Sequence, residues 1–147
     1  MKKIGVIGAG SWGTALSCLL HQNGHQVTMW SIVEEEVKML REKREHETKL
    51  PGVRIPEDIE ITGDLALAMA EKDVLVLAVP SPFTRSTSQK MAPLTQKGQI
   101  IVNVAKGVEE HTLMTLSQII EQEIPQARVA VLSGPSHAEE VGRGLPT

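Results

Sequence analysis

Three closely spaced glycines near the start of the chain leave few folds open to it. Gly8-Ala9-Gly10-Ser11-Trp12-Gly13 has the spacing G-x-G-x-x-G. It follows Ile4-Gly5-Val6-Ile7, which reads as a buried strand, and it opens a helix expected from about Ser11 to Asn23, with Gly24 as the stop signal. The spacing alone is a weak signal. Between a strand and a helix it is the pattern that cradles a pyrophosphate on a helix N-terminus. Gly8 then makes the tight turn, Gly10 lets the backbone approach the anion, and Gly13 lets the helix pack on the strand. Ser11 and Trp12 stand where their amides donate to phosphate oxygens. The competing account is a glycine-rich turn that holds nothing.

The rest of the chain repeats the same rhythm. Strands are expected at Gln26–Trp30, Ile59–Thr62, Val74–Val79, Ile100–Val104 and Val129–Leu132. Ser31 with Glu34 reads as a capping box for a helix ending near Arg44, and Asp64 as the cap of a brief helix through Leu65, Leu67 and Met69. Ser81 followed by Pro82 reads as a cap and a proline at the first helical position. A further helix is expected from about Thr112 to Glu123. The polar stretch from Glu45 to Pro56 reads as a surface loop. This βαβ alternation predicts an α/β, Rossmann-type doubly wound fold: a mostly parallel sheet with helices on both faces and the first strand near the middle.

Length and composition narrow the function. The 147 residues suit one domain, and residues 1–147 are read as one dinucleotide-binding domain. The aromatic residues are Trp12, Trp30 and Phe83, so the core must be aliphatic. A formal charge of −3 without a basic run argues against nucleic acid as a partner. No segment is long and apolar enough to predict membrane insertion, and no metal-ligand set is read. Cys18 lies among Leu16, Leu19 and Leu20 and is expected to be buried rather than reactive. A cytoplasmic protein is expected.

Ligands of open α/β sheets collect at the carboxyl ends of the strands. Three such ends carry chemistry here. Val79-Pro80-Ser81 turns beside the expected nicotinamide ribose, although Ser81 alone suits a plain strand-to-helix turn. Lys106, in Asn103-Val104-Ala105-Lys106-Gly107, is either a solvated loop lysine or a cation facing the cleft, able to bind phosphate or polarise a carbonyl. Ser133-Gly134-Pro135-Ser136-His137-Ala138-Glu139 turns at Gly134 and Pro135, and Ser136 with Glu139 reads as another capping box. His137 is either an acid–base group or an exposed first-turn histidine. At the end of the second strand no clear ribose-reading acid stands out. Glu34, Glu35 and Glu36 read first as favourable charge at a helix N-terminus. With carboxylates there and no arginine, NAD is mildly favoured over NADP.

Taken in order, these segments resemble the NAD(P)-dependent glycerol-3-phosphate dehydrogenase family. The matching residues are Gly8-Ala9-Gly10-Ser11-Trp12-Gly13-Thr14-Ala15-Leu16, Asn23-Gly24-His25, Trp30, Leu50-Pro51-Gly52, Ala78-Val79-Pro80-Ser81, Lys106-Gly107-Val108-Glu109 and Ser133-Gly134-Pro135-Ser136. The last two motifs are more specific than the glycines. The resemblance implies a cofactor, NAD(H) or NADP(H), and reversible reduction of dihydroxyacetone phosphate to sn-glycerol 3-phosphate for phospholipid synthesis. Beside Gly8, Gly10 and Gly13, which the motif itself assigns to the nucleotide, it implies that Ser11, Trp12, Lys106 and Ala138 contact the nucleotide, and that Lys106, Gly134 and Ser136 contact substrate. It also implies a mostly helical second domain, carrying the catalytic lysine and most substrate-phosphate ligands, beyond this chain. On that ground 1–147 is expected to be a fragment without turnover of its own, from a parent that can form a homodimer. Two positions depart from the family pattern. No basic residue stands near Ile32 or Val33, and Lys49 replaces an aromatic residue before Leu-Pro-Gly. Both bear on cofactor preference. Another Rossmann dehydrogenase and a non-catalytic NAD-sensing module are the rival readings.

Overall fold

The structure is a computed structural model, and it describes residues 1–134 and 136–146. Six strands form one sheet: β1 (Lys3–Ile7), β2 (Gln26–Trp30), β3 (Glu60–Thr62), β4 (Val74–Leu77), β5 (Ile100–Asn103) and β6 (Arg128–Val131). Every pairing is parallel and the spatial order is β3-β2-β1-β4-β5-β6. The order reverses direction between β1 and β4, which opens a crevice beyond their carboxyl ends.

Alternation along the strands divides the core into two layers. Ile4, Val6, Val27, Met29 and Val76 face one side, where they meet Leu16 of α1 (Ser11–Gln22) and Val37 and Leu40 of α2 (Glu34–Lys43). Ile7, Leu75, Leu77 and Ile101 face the other. There they meet Ala68 of α3 (Leu65–Met69), Met91 of α4 (Thr84–Met91) and Ile120 of α5 (Leu116–Glu123). A two-residue period in strands buried on both faces produces this doubly wound arrangement. Gly5 has its own part in it. A Cβ there would run into the Ala68 carbonyl, so α3 can lie on β1 only because position 5 has no side chain.

Several local expectations need correction. The Ser31–Glu34 capping box does not form. Val33 is the N-cap of α2, and the Ser31 hydroxyl accepts from the Val33 amide at 3.1 Å while donating to Glu36 at 2.6 Å. The chain needs two more residues than expected to turn from β2 into α2. Ser81 does not cap: Ser81–Phe83 is a 3₁₀ turn with Pro80 at its cap, and α4 follows. α5 starts at Leu116, not near Thr112, because Thr115 and Gln118 make the real capping box. Leu113, expected on that helix's apolar face, is exposed with φ 58°. The Ser136–Glu139 box is also absent; His137 is the N-cap of a short α6 (Ala138–Gly142) and makes no side-chain cap bond. Asp64 does cap α3, accepting from the Leu67 amide at 3.2 Å.

The stretch from Glu45 to Pro56 is not simply a surface loop. Leu50, Val53 and Ile55 are buried; Leu50 and Val53 pack with Ala15 of α1 and Val141 of α6. Polar, proline- and glycine-rich composition concealed three apolar anchors, Leu50 and Val53 against α1 and α6 and Ile55 in the core layer between the sheet, α1 and α2. Cys18 is part-buried, and burial pushes its thiol up to about 11, as an inert structural cysteine should be. No described helix is long and apolar enough to cross a membrane.

Candidate functional site

The glycine turn is shaped by backbone against backbone. Gly8 has φ +124°, and its amide donates to the Trp30 carbonyl at 2.9 Å. A Cβ on Gly8 would lie 2.7 Å from the Ala78 carbonyl group, on the neighbouring strand end. A Cβ on Gly13 would collide with the Gly8 carbonyl. Gly10 is different. Within 4 Å its Cβ would meet only the flexible end of Lys49, at 3.9 and 4.0 Å. Gly8 and Gly13 are therefore required by the fold itself, whereas Gly10 keeps space open beside the helix.

That space is the N-terminus of α1. Its first helical bond runs from the Thr14 amide to the Gly10 carbonyl at 3.0 Å, so the amides of Ser11, Trp12 and Gly13 precede the helical ladder. No carboxylate occupies the first turn of α1. An anion placed here meets aligned N–H groups and the positive end of the helix dipole.

A cleft of about 780 Å³ opens from this turn, a volume ordinary for a small-molecule site. All three strand ends singled out in the sequence line it, through Val79, Pro80 and Ser81, through Ala105 and Lys106, and through Ser136, His137 and Ala138. Lys106, exposed, donates its ammonium to the Gly134 carbonyl at 2.6 Å. Beside it a smaller recess of about 170 Å³ is lined by Trp12, Lys106, Gly134 and Ser136. The fold thus brings Lys106, Gly134 and Ser136 together from two strand ends. Pro135, expected to sharpen this turn, lies outside the described residues.

The opposite end of the cleft holds residues the sequence did not reveal as a group. Of the three acids starting α2, Glu34 and Glu35 are exposed and serve as first-turn charge, but Glu36 turns inward. Its carboxylate receives Ser31 Oγ at 2.6 Å and the buried His46 Nε2 at 2.9 Å, with Lys49 Nζ at 3.5 Å. Burial pushes its pKa upward, but the hydrogen bonds from Ser31 and His46 and the charge of Lys49 outweigh it and hold the carboxyl below its ordinary value. Ser31, Ile32, Val33, Glu36 and Lys49 all line the cleft. Phe83, Thr87 and Lys90 line it from the α4 side, and Phe83 is 58% exposed. Phe83 was visible in the sequence only as the lone phenylalanine. His46 had no local signal at all. Trp30 is buried, and its indole donates to the Gly63 carbonyl at 3.1 Å, a structural duty at the end of β2.

Comparison with known proteins gives this arrangement a family. The family model described as the NAD-dependent glycerol-3-phosphate dehydrogenase N-terminus matches residues 3–147. The chain belongs to that family. A glycerol-3-phosphate dehydrogenase (NAD(P)+) of Agathobacter rectalis is 63% identical over 147 residues, covering 100% of this chain and 44% of the relative. One from Fusobacterium nucleatum is 54% identical over 149 residues, again covering 100% of the chain and 44% of the relative. The crystal structure of glycerol-3-phosphate dehydrogenase from Coxiella burnetii superposes with a TM-score of 0.93 at 32% identity, covering 99% of this chain and 45% of that one. The chain therefore spans less than half the length of these relatives. The doubly wound fold and the family expected from the sequence are both found.

Proposed function

We propose that residues 1–147 are the dinucleotide-binding domain of a longer NAD(P)H-dependent enzyme that reversibly reduces dihydroxyacetone phosphate to sn-glycerol 3-phosphate. The observation that carries this reading is the turn in which Gly8 and Gly13 are packed shut while Gly10 faces open cleft. A pyrophosphate fits the space a Cβ on Gly10 would fill. The amides of Ser11 and Trp12 would hold it. The adenosine ribose would lie toward Ser31 and Ile32, and the nicotinamide toward Pro80, Ser81 and Ala138, which line the other arm of the same cleft.

When bound, the reduced nicotinamide supplies a hydride to the substrate carbonyl carbon. Negative charge then grows on the carbonyl oxygen. Lys106 brings a cation to that end of the cleft, and its ammonium stabilises either that oxygen or the substrate phosphate. The Gly134 carbonyl, which accepts from Lys106, holds the ammonium there. Gly134 and Ser136 form the wall against which substrate would rest. The proton for the new alkoxide, and most phosphate ligands, belong in this reading to the part of the enzyme beyond these residues. NAD(H) is modestly preferred to NADP(H) in this reading: Glu36 places a carboxylate at the ribose edge and, among the described residues, no arginine lines the cleft, while Lys49 stands against that carboxylate. The proposal includes a cytoplasmic setting, supported by the single inert Cys18, and a homodimer of the full-length enzyme, to be read from its mass in solution.

Calorimetry with NADH on this chain tests the cradle. Binding should be measurable, and Gly10→Val should abolish it while circular dichroism stays native. Unchanged binding by a folded Gly10→Val variant would overturn the assignment.

A further inference from the structure

Lys106 sits in the middle of a short span between two anchors. Upstream, the Asn103 side chain donates to the Ala105 carbonyl at 3.1 Å and accepts from the Ala105 amide at 3.3 Å. Downstream, the anchor is Glu109, three residues after Lys106. Both its carboxylate oxygens are held by Arg85, from Nε at 2.7 Å and from an Nη at 2.8 Å. This is the fork geometry that fixes direction as well as distance. The other Nη of Arg85 donates to Glu123 and to Gln122 on α5, each at 2.7 Å. Within the loop, Thr112 Oγ1 donates to Glu109 at 2.6 Å, and the Glu109 amide donates to the Met114 carbonyl at 2.9 Å. Arg85 thereby ties α4, the loop and α5 together. Neither Arg85 nor Glu109 lines the cleft.

Between the anchors the chain makes a turn only glycine takes easily. Gly107 has φ +124°, and a Cβ there would stand 3.5 Å from Ser81. Val108, next in line, is half exposed. Inside the span, the Lys106 ammonium rests on the Gly134 carbonyl and Val108 pairs with Thr115 in an isolated antiparallel bridge; the two ends set where the backbone that carries Lys106 lies. An ion pair of this kind at a partly exposed site contributes little to global stability. A bidentate bond that sets where a loop ends is a different matter, since small displacements of a charged group are costly to catalysis.

We propose that the Arg85–Glu109 fork is a positioning device for the proposed reaction: it fixes the loop that aims Lys106 into the cleft. The inference rests on reading Lys106 as the substrate-facing cation. It makes Glu109, in Lys106-Gly107-Val108-Glu109, the partner of an arginine 24 residues earlier rather than a group that touches ligand.

A double-mutant cycle on the full-length enzyme tests this. Glu109→Gln keeps the shape and removes the charge; Arg85→Lys keeps the charge and removes the fork. Each should lower kcat/KM for dihydroxyacetone phosphate by about ten- to a hundredfold, the scale for a misplaced catalytic group. NADH affinity, measured separately by fluorescence, should change less than about twofold, which also certifies the fold. In a Lys106→Ala background, Glu109→Gln should cost nothing further, because there is no ammonium left to aim. A single Glu109→Gln within about twofold of wild type overturns the inference, and so does a loss that simply multiplies with that of Lys106→Ala. If Lys106→Ala itself leaves kcat/KM near wild type, the reading of Lys106 falls and the inference with it, an outcome visible before the cycle is closed.

Discussion

The two arms of the cleft are built by different physics. At the glycine turn, position is enforced by excluded volume between backbone segments: Gly13 against the Gly8 carbonyl, and Gly8 against Ala78 and Val79. Such packing does not depend on pH or salt, and it presents N–H groups without moving side chains. At the Lys106 arm, position is enforced by side-chain bonds between distant segments: Lys106 to Gly134, and Arg85 to Glu109 and Glu123. The contrast suits the two tasks. A pyrophosphate is the same in every cofactor molecule and can be met by a rigid mould. A substrate that gains charge during reaction needs a cation held in place yet free to respond.

Four measurements can break or sharpen that contrast. The largest effect should come from Lys106→Ala in the full-length enzyme. It should cut kcat/KM for dihydroxyacetone phosphate by roughly two to three orders of magnitude, the usual loss for one electrostatic stabiliser. The melting temperature should hardly move, because this lysine is exposed and its ammonium bonds a backbone carbonyl. Lys106→Arg should restore activity only in part, the guanidinium being larger and its charge more spread. A Lys106→Ala enzyme within about threefold of wild type would reduce that arm to ordinary surface.

Next in size is the fold cost at the other arm. Gly13→Ala should destabilise the domain by about 3 kcal/mol in urea unfolding, since its Cβ has no room against the Gly8 carbonyl. Gly10→Val should cost only about 1 kcal/mol, the scale of an N-cap change. Equal costs would mean the cradle is not a backbone mould.

A smaller effect is expected at the ribose edge. Ile32 is 65% exposed and lines the cleft. Ile32→Arg should raise NADP(H) affinity by about 1 kcal/mol, the scale of one charge-assisted contact. A wild-type protein already preferring NADP(H) by about a hundredfold, equivalent to nearly 3 kcal/mol, would show that Lys49 and Lys90, not position 32, govern this edge.

The subtlest test is a titration. Arg85 and Thr112, through their hydrogen bonds, hold the Glu109 carboxyl down from 4.5 to about 2. Its folded pKa is lower than its unfolded one, so the pair's contribution is complete above about pH 5 and is lost as pH falls toward 2. Carbon-detected NMR should find the Glu109 midpoint near 2, and Arg85→Gln should return it toward the ordinary value. A midpoint already near 4.5 in the wild type would mean that the fork is not held in solution.

Much of this molecule was written locally. β2 falls on the residues its apolar pattern predicts, Asp64 caps α3, and the glycine turn stands where its spacing puts it. Each is announced by residue type and spacing over a few neighbouring positions, so the sequence alone located them, even where, as at Gly8 against Ala78, a distant strand end completes the packing. Caps were less legible, because Ser31 and Thr112 compete with Val33 and Thr115 for the same turns, and burial of Ser31 against Glu36 decides the first case. The side-chain associations in and behind the cleft could not be read at all. Glu36 and His46, Arg85 and Glu109, and Lys106 and Gly134 are separated by 10, 24 and 28 residues. The last two pairs meet only once the parallel order β3-β2-β1-β4-β5-β6 has set the segments that follow β4, β5 and β6 side by side. The sequence determined which residues could carry charge and which elements would form. Tertiary structure decided which charges face each other, because an ion pair or a hydrogen bond acts over a few ångströms of space and carries no signature along the chain.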